Sequence, residues 1–138
     1  MSGAYVWSRH AVDIQYGLGP SMEPELPNGC LIIIDRMSRS FRKHRRGDVV
    51  LLESPCKSRG ETMCKRILAI EGDAVKINRV QQPESVQVTI PKGHVWVEGD
   101  NSLVSVDSRH FGAVPKALIR GRVLFVVYPF DMFHRVNR

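Results

Sequence analysis

Cysteine, aromatic residues and long apolar runs are all scarce in this sequence. Its 138 residues include three cysteines, Cys30, Cys56 and Cys64, with no CxxC pair. That count excludes a zinc knuckle and a disulfide-stapled framework. Each cysteine is expected as a small apolar residue rather than a ligand or nucleophile, although Cys56 and Cys64 could meet across a hairpin. No run approaches the roughly 18 consecutive apolar residues of a transmembrane helix. The first residues, MSGAYVWSRHAVDIQYGLG, lack the apolar core and small-residue cleavage site of a secretory signal. Asp13 is out of place in an acid-free transit peptide. Residues 1–16 are therefore expected as a weakly apolar lead-in, and 17–138 as one domain.

The densest run of bases has no acid in it. Arg36, Arg39, Arg42, Lys43, Arg45 and Arg46 crowd eleven positions without an acid, and the other fourteen bases balance fourteen acids. The formal charge of +6 is thus the property of one segment. Such a cluster binds nucleic acid, lies on an anionic membrane or is a solvated loop. Phe41 is its only aromatic, and Pro or Gly interrupts the neighbouring segments before a long helix can form, so no nucleic-acid partner is expected. A loop or a membrane-surface contact remains.

The apolar runs that do exist are short and β-branched. Leu31–Ile34, Val49–Leu52, Val86–Ile90, His94–Val97 and Val123–Tyr128 are bounded by Gly, Pro, Asn or Asp, the pattern of strands and turns. Only Pro115–Ile119 invites a helical turn, with proline at its start. The polar stretch NRVQQPE, 78–84, is expected as a hairpin tip or small insertion. The fold class that follows is mostly β, antiparallel, with minor helix.

The catalytic signatures are as thin as the aromatics. Around Ser21 the sequence is Gly19-Pro20-Ser21-Met22-Glu23, without the second glycine of a nucleophile elbow. The histidines His10, His44, His94, His110 and His134 have no spacing that singles one out, and are expected as surface or turn residues. A lysine base is the other route, because a buried amine is driven toward its neutral, proton-accepting form. Lys65 follows Met63-Cys64 and precedes Arg66-Ile67-Leu68-Ala69-Ile70. On a strand, alternation places it on the face of Met63 and Ile67, with Arg66 on the other. Taken alone it is a base or a snorkelling structural lysine. Gly99 to Gly112 is dense in Asp, Asn and Ser, which marks a structured loop that also offers hydroxyls and charges to orient an amine. A calcium site at Asp100, Asn101 and Asp107 lacks the alternate ligand spacing and closing Glu. No metal or cofactor is expected.

Together these segments resemble a known family. PSMEP with Ser21, GDVV at Gly47-Asp48, CKRILAIEGD with Lys65-Arg66, GDN…S-x-DSRxFG ending at Gly112, and the tail Val114–Val123 are similar, in order, to the type I signal peptidases. The similarity spans about Gly17 to Tyr128, and the GPSMEP wording and LIRGR ending are most similar to the mitochondrial inner membrane members. The resemblance implies a signal-peptidase-like antiparallel fold and a Ser/Lys endopeptidase. In it Ser21 is the nucleophile, Lys65 the general base, and Ser105 the hydroxyl that orients the lysine. Met22 packs at the site, Asp107 pairs with Arg109, and Arg66 pairs with Asp100. The hydroxyl that many bacterial members carry two residues before the nucleophile is here Gly19, which leaves the second oxyanion donor unassigned.

The expected substrates are precursor proteins whose sorting presequences are removed at the inner membrane, on the side of the intermembrane space. A second peptidase subunit is the expected partner. The family's membrane anchor is expected to be absent or cut short, which leaves the basic cluster as the candidate membrane contact. The competing functions are a self-cleaving repressor-type protease, a non-catalytic scaffold subunit and a basic surface module. The first lacks room for a DNA-binding domain before Ser21, and the second has no physical reason to retain a buried lysine.

Overall fold

A computed structural model describes residues 12–17, 19–36, 44–56, 61–77 and 84–136. Among them the chain forms ten strands: β1 (Val12–Gly17), β2 (Cys30–Asp35), β3 (Val49–Glu53), β4 (Thr62–Ile70), β5 (Ala74–Ile77), β6 (Val86–Thr89), β7 (His94–Glu98), β8 (Val114–Pro115), β9 (Ile119–Tyr128) and β10 (His134–Arg135). One helical turn, α1 (Ser108–Phe111), and 3-10 turns at Lys116–Leu118 and Phe130–Met132 complete the elements. The larger sheet runs β1-β2-β9-β3-β4-β7-β8, with β10 added on β9, while β5 and β6 pair separately. The pairings are antiparallel, as the short β-branched runs predict.

The middle of the sheet explains the unbroken run Val49-Val50-Leu51-Leu52. All four side chains are buried. Val49 and Leu51 enter one core with Ile32, Ile34, Val123 and Val126, and Val50 and Leu52 enter a second with Ile67, Val95, Val97 and Ile119. Successive side chains point to opposite faces, so a strand covered on both sides has no polar position to spare.

The structure differs from expectation at the margins. Val12–Tyr16, expected in the lead-in, belong to β1, whose six residues to Gly17 pair with β2. Their apolar members Val12, Ile14 and Tyr16 face outward on this edge strand, so no core-facing pattern announces them. The helical turn at Pro115 is a single 3-10 turn, after which β9 begins at Ile119, four residues before the expected start. Helix α1, expected as loop, exists because Asp107 caps it: its side chain accepts the Arg109 N–H, and His110 answers through Asp107's own amide. Of the stretch 78–84 only Glu84 is described; its neighbours β5 and β6 pair antiparallel. Cys30, Cys56 and Cys64 are free thiols. Cys64 is in register with Leu51, whereas Cys56 lies beyond the last ladder pair, Glu53 with Thr62.

Candidate functional site

Ser21 lies in the turns of residues 19–26 that lead into β2. The turn closes on itself through the Leu26 amide to the Met22 carbonyl, at 2.9 Å, and the Glu23 amide to the Pro20 carbonyl, at 3.1 Å. The loop after β7 clips it in place. The Asn101 amide donates to the Ser21 carbonyl at 2.9 Å, the Asn101 side chain to the Pro20 carbonyl at 3.2 Å, and the Asp100 amide to Met22 Sδ at 3.4 Å. Gly99 makes this approach possible. A Cβ there would stand 2.6 Å from the Ser21 carbonyl oxygen and overlap Ser105 Oγ. The Gly19 amide is occupied by Asn28 Oδ1 at 2.8 Å.

Lys65 is opposite Val50 in the β3–β4 ladder, on the face of the second core, as the alternation predicts. It is 3% exposed. Burying an ammonium costs several kcal/mol unless it is matched by charge and hydrogen bonds. Its Nζ donates to Ser105 Oγ at 3.0 Å, and Ser105 Oγ donates to Asp107 Oδ2 at 2.6 Å. Since the hydroxyl's one proton goes to Asp107, toward Lys65 it can only accept. Asp107 is fully buried and receives further bonds from the Gly99 amide, at 2.9 Å, and from Arg109 Nε and Nη2, each at 2.9 Å. Burial by itself raises this carboxyl's pKa; Arg109, Ser105 and the two amides outweigh it and hold the group below the usual carboxylate range.

Arg66, on the alternate face, makes the expected pair with Asp100, bidentate at 2.9 Å for both bonds. It also donates to the Gly47 carbonyl at 2.7 Å and to Glu25 Oε1 at 3.1 Å. Ser21, Met22 and Lys65 line one cleft of about 290 Å³, with Leu26, Ile32, Leu51 and Cys64 among its apolar walls. Burial pushes the Cys64 thiol up to about 12, which makes it a weak nucleophile. Met22 is buried in the first core at the cleft wall. Thus, of the eight residues singled out in the sequence, Ser21, Met22 and Lys65 line the cleft, Ser105, Asp107 and Arg109 are chained to Lys65 by hydrogen bonds, and Arg66 is paired with Asp100, whose amide reaches Met22. Among the described residues no group of three His, Cys, Asp or Glu gathers to hold a metal.

The model of the family described as "Signal peptidase, peptidase S26" matches residues 4–82 and 77–128. The chain belongs to the S26 signal peptidase family. It is 45% identical over 121 residues to the mitochondrial ATP-independent inner membrane protease subunit 1b of Arabidopsis thaliana, covering 86% of this chain and 71% of that one. It is 40% identical over 115 residues to the mouse mitochondrial inner membrane protease subunit 1, covering 83% and 69%. A subunit 2 relative, from Schizosaccharomyces pombe, is 35% identical over 133 residues, covering 94% and 72%. A solved signal peptidase I from Enterococcus faecalis is similar at 25% identity and a TM-score of 0.49, over 60% of this chain and 98% of that one.

Within this S26 member, two site neighbours escaped the sequence reading. Glu25 and His134, the latter expected as a surface or turn residue, meet at 2.7 Å across 109 positions. No local spacing announces such a contact. The basic segment is also less free than its composition implies. Arg36 pairs with Asp13 at 2.7 Å and Arg46 with Asp73 at 2.5 Å. Arg39, Arg42 and Lys43 lie outside the described residues. No helix among the described residues is long and apolar enough to cross a membrane.

Proposed function

We propose that this protein is a serine endopeptidase that removes sorting presequences from precursor proteins through a Ser21/Lys65 dyad. The observation that carries this reading is the buried Lys65 amine, held by Ser105 on the cleft it shares with Ser21. A neutral amine that gives one N–H to Ser105 keeps its lone pair for the Ser21 hydroxyl. Lys65 takes the proton as Ser21 Oγ attacks the scissile carbonyl. The Ser21 N–H stabilises the oxyanion, a contact worth about 3 kcal/mol in the transition state. When the C–N bond breaks, the Lys65 ammonium returns its proton to the leaving amine. Water, activated by the same lysine, then hydrolyses the acyl-enzyme and frees Ser21. Asp107 and Arg109 hold Ser105 in its acceptor role, and Asp100 and Arg66 hold the loop against the Ser21 turn.

The catalytic unit is the single domain from Gly17 onward together with the edge strand β1. The substrate lies extended in the cleft, whose rims include Gln15–Gly17 of β1 and Thr62–Cys64 of β4, where main-chain bonds give affinity and shallow pockets accept small side chains. From the names of its relatives we place the enzyme at the mitochondrial inner membrane, facing the intermembrane space, paired with a second subunit. The basic segment supplies a contact to anionic lipid. The test is cleavage of an in-vitro-translated precursor bearing a sorting presequence. Ser21→Ala and Lys65→Ala should each abolish processing with the fold intact; unimpaired cleavage by Ser21→Ala overturns the dyad.

A further inference from the structure

His134 is held between two acceptors. Its Nδ1 stands 2.8 Å from the Met132 carbonyl oxygen and its Nε2 2.7 Å from Glu25 Oε2. A carbonyl and a carboxylate only accept, so both ring nitrogens must carry hydrogen, and the imidazolium is the form that satisfies both contacts. The Met132 carbonyl, and then the Glu25 carboxylate, hold this imidazole above its ordinary value despite partial burial. The other oxygen of Glu25 accepts from Arg66 Nη2 at 3.1 Å, and Arg66 is locked on Asp100. Glu25 belongs to the turn that carries Ser21, and Arg66 follows Lys65 on β4. His134 belongs to the hairpin in which β10 folds back on β9. The chain His134–Glu25–Arg66–Asp100 therefore joins four separate segments at the rim of the site.

We propose that Glu25 and His134 are positioning residues for the Ser21–Lys65 pair: the imidazolium–carboxylate–guanidinium chain clamps the Ser21 turn onto the Lys65 strand, and the clamp loosens when His134 loses its proton. The proposal rests on the peptidase reading above. The charged groups facing one another in the clamp are Glu25 from the turn, His134 from the hairpin, Arg66 from β4 and Asp100 from the loop after β7. A raised folded value means that the contribution is complete below the unfolded value of about 6.5 and fades as pH rises through the folded value above it.

The primary test needs no substrate. In the full chain, amide exchange at Glu23 and Leu26, corrected for intrinsic rates, reports closure of the turn. At pH 6, His134→Gln should speed it about tenfold, the scale of a hydrogen bond to a charged group. The difference from wild type should fade as pH rises through the folded His134 value, whereas His134→Arg, a permanent cation, should stay protected throughout. Glu25→Gln should lower the midpoint of the His134 ring titration seen by NMR. In precursor cleavage, Glu25→Gln and His134→Gln should lower kcat about tenfold at pH 6 with little change in KM, as misplacement of a reacting group does. Wild-type exchange in both variants, or a deficit that does not depend on pH, overturns the clamp. Undiminished cleavage by Ser21→Ala would instead remove the peptidase reading, and the exchange data would still decide whether the turn is clamped.

Discussion

Lys65 Nζ lies 3.0 Å from Ser105 Oγ, although forty positions separate the two residues. The hydroxyl's proton is committed to Asp107 at 2.6 Å, so the contact has a direction: the amine gives and Ser105 receives. Ser105→Ala removes this guide while leaving Asp107 its bonds from Gly99 and Arg109. We expect kcat for precursor cleavage to fall about a hundredfold through misorientation of the base, with unchanged folding. Ser105→Thr, which keeps the hydroxyl, should restore most of it.

Lys65→Met separates chemistry from stability. It removes a buried amine but keeps the length and apolar stem of the side chain. Processing should be lost, while thermal unfolding shifts upward, on the order of 1–3 kcal/mol, because a costly buried polar group is gone. In the wild type the amine must be neutral to accept a proton. In His134→Arg, whose clamp does not titrate, the rate should therefore climb as pH moves from neutral to alkaline, and a flat profile there with chemistry limiting would count against the dyad.

Asp107 sets the acid limit of stability. Its folded value is held below the unfolded one of about 3.9, so its contribution is present above that pH and is lost as pH falls through the folded value. Wild-type stability should drop below about pH 4. Asp107→Asn should unfold more easily at neutral pH by about 3 kcal/mol, with a flatter acid limb, since it takes from Arg109 the buried carboxylate on which both Nε and Nη2 are held, leaving it Glu98 at 3.8 Å and the Ser102 carbonyl. Urea unfolding at several pH values checks both parts.

Gly99→Ala tests the close approach of two loops. The added methyl collides with the Ser21 carbonyl and with Ser105, both of which are anchored. Stability should fall by about 1–3 kcal/mol, and processing by more than that loss explains, because the Ser21 turn is pushed outward.

The basic segment makes a graded prediction. Binding to anionic vesicles should weaken by about 1 kcal/mol for each of Arg42, Lys43 and Arg45 changed to Gln. Arg46→Gln should matter less, since Asp73, held down to about 2 chiefly by its bond from Arg46, already answers that charge. Equal loss at all four positions would show that the Arg46–Asp73 pair opens on the membrane.

Period-two alternation made Lys65 suspect in the sequence, and the ladder puts it on the face of Met63 and Ile67 as that alternation requires. The β-branched runs marked β2, β3, β6 and β7 for the same reason: strand chemistry is local. Strand β1 was missed because its apolar residues face outward, and α1 because its cap is a buried carboxylate shared with Ser105. Glu25 and His134 carried no mark at all.

What the sequence by itself determined is strands β2, β3, β6, β7 and β9, the face that Lys65 takes, and the order of the segments carrying Ser21, Lys65 and Ser105. Those follow from the covalent alternation of the backbone and from side chains that fit a pleated surface. Only the tertiary structure decided that Asp107 stands behind Ser105, that Gly99 admits the Ser21 turn, and that Glu25 joins Arg66 to His134. Such contacts depend on which strands pair and in what register, and distant positions in a chain hold no local record of that choice.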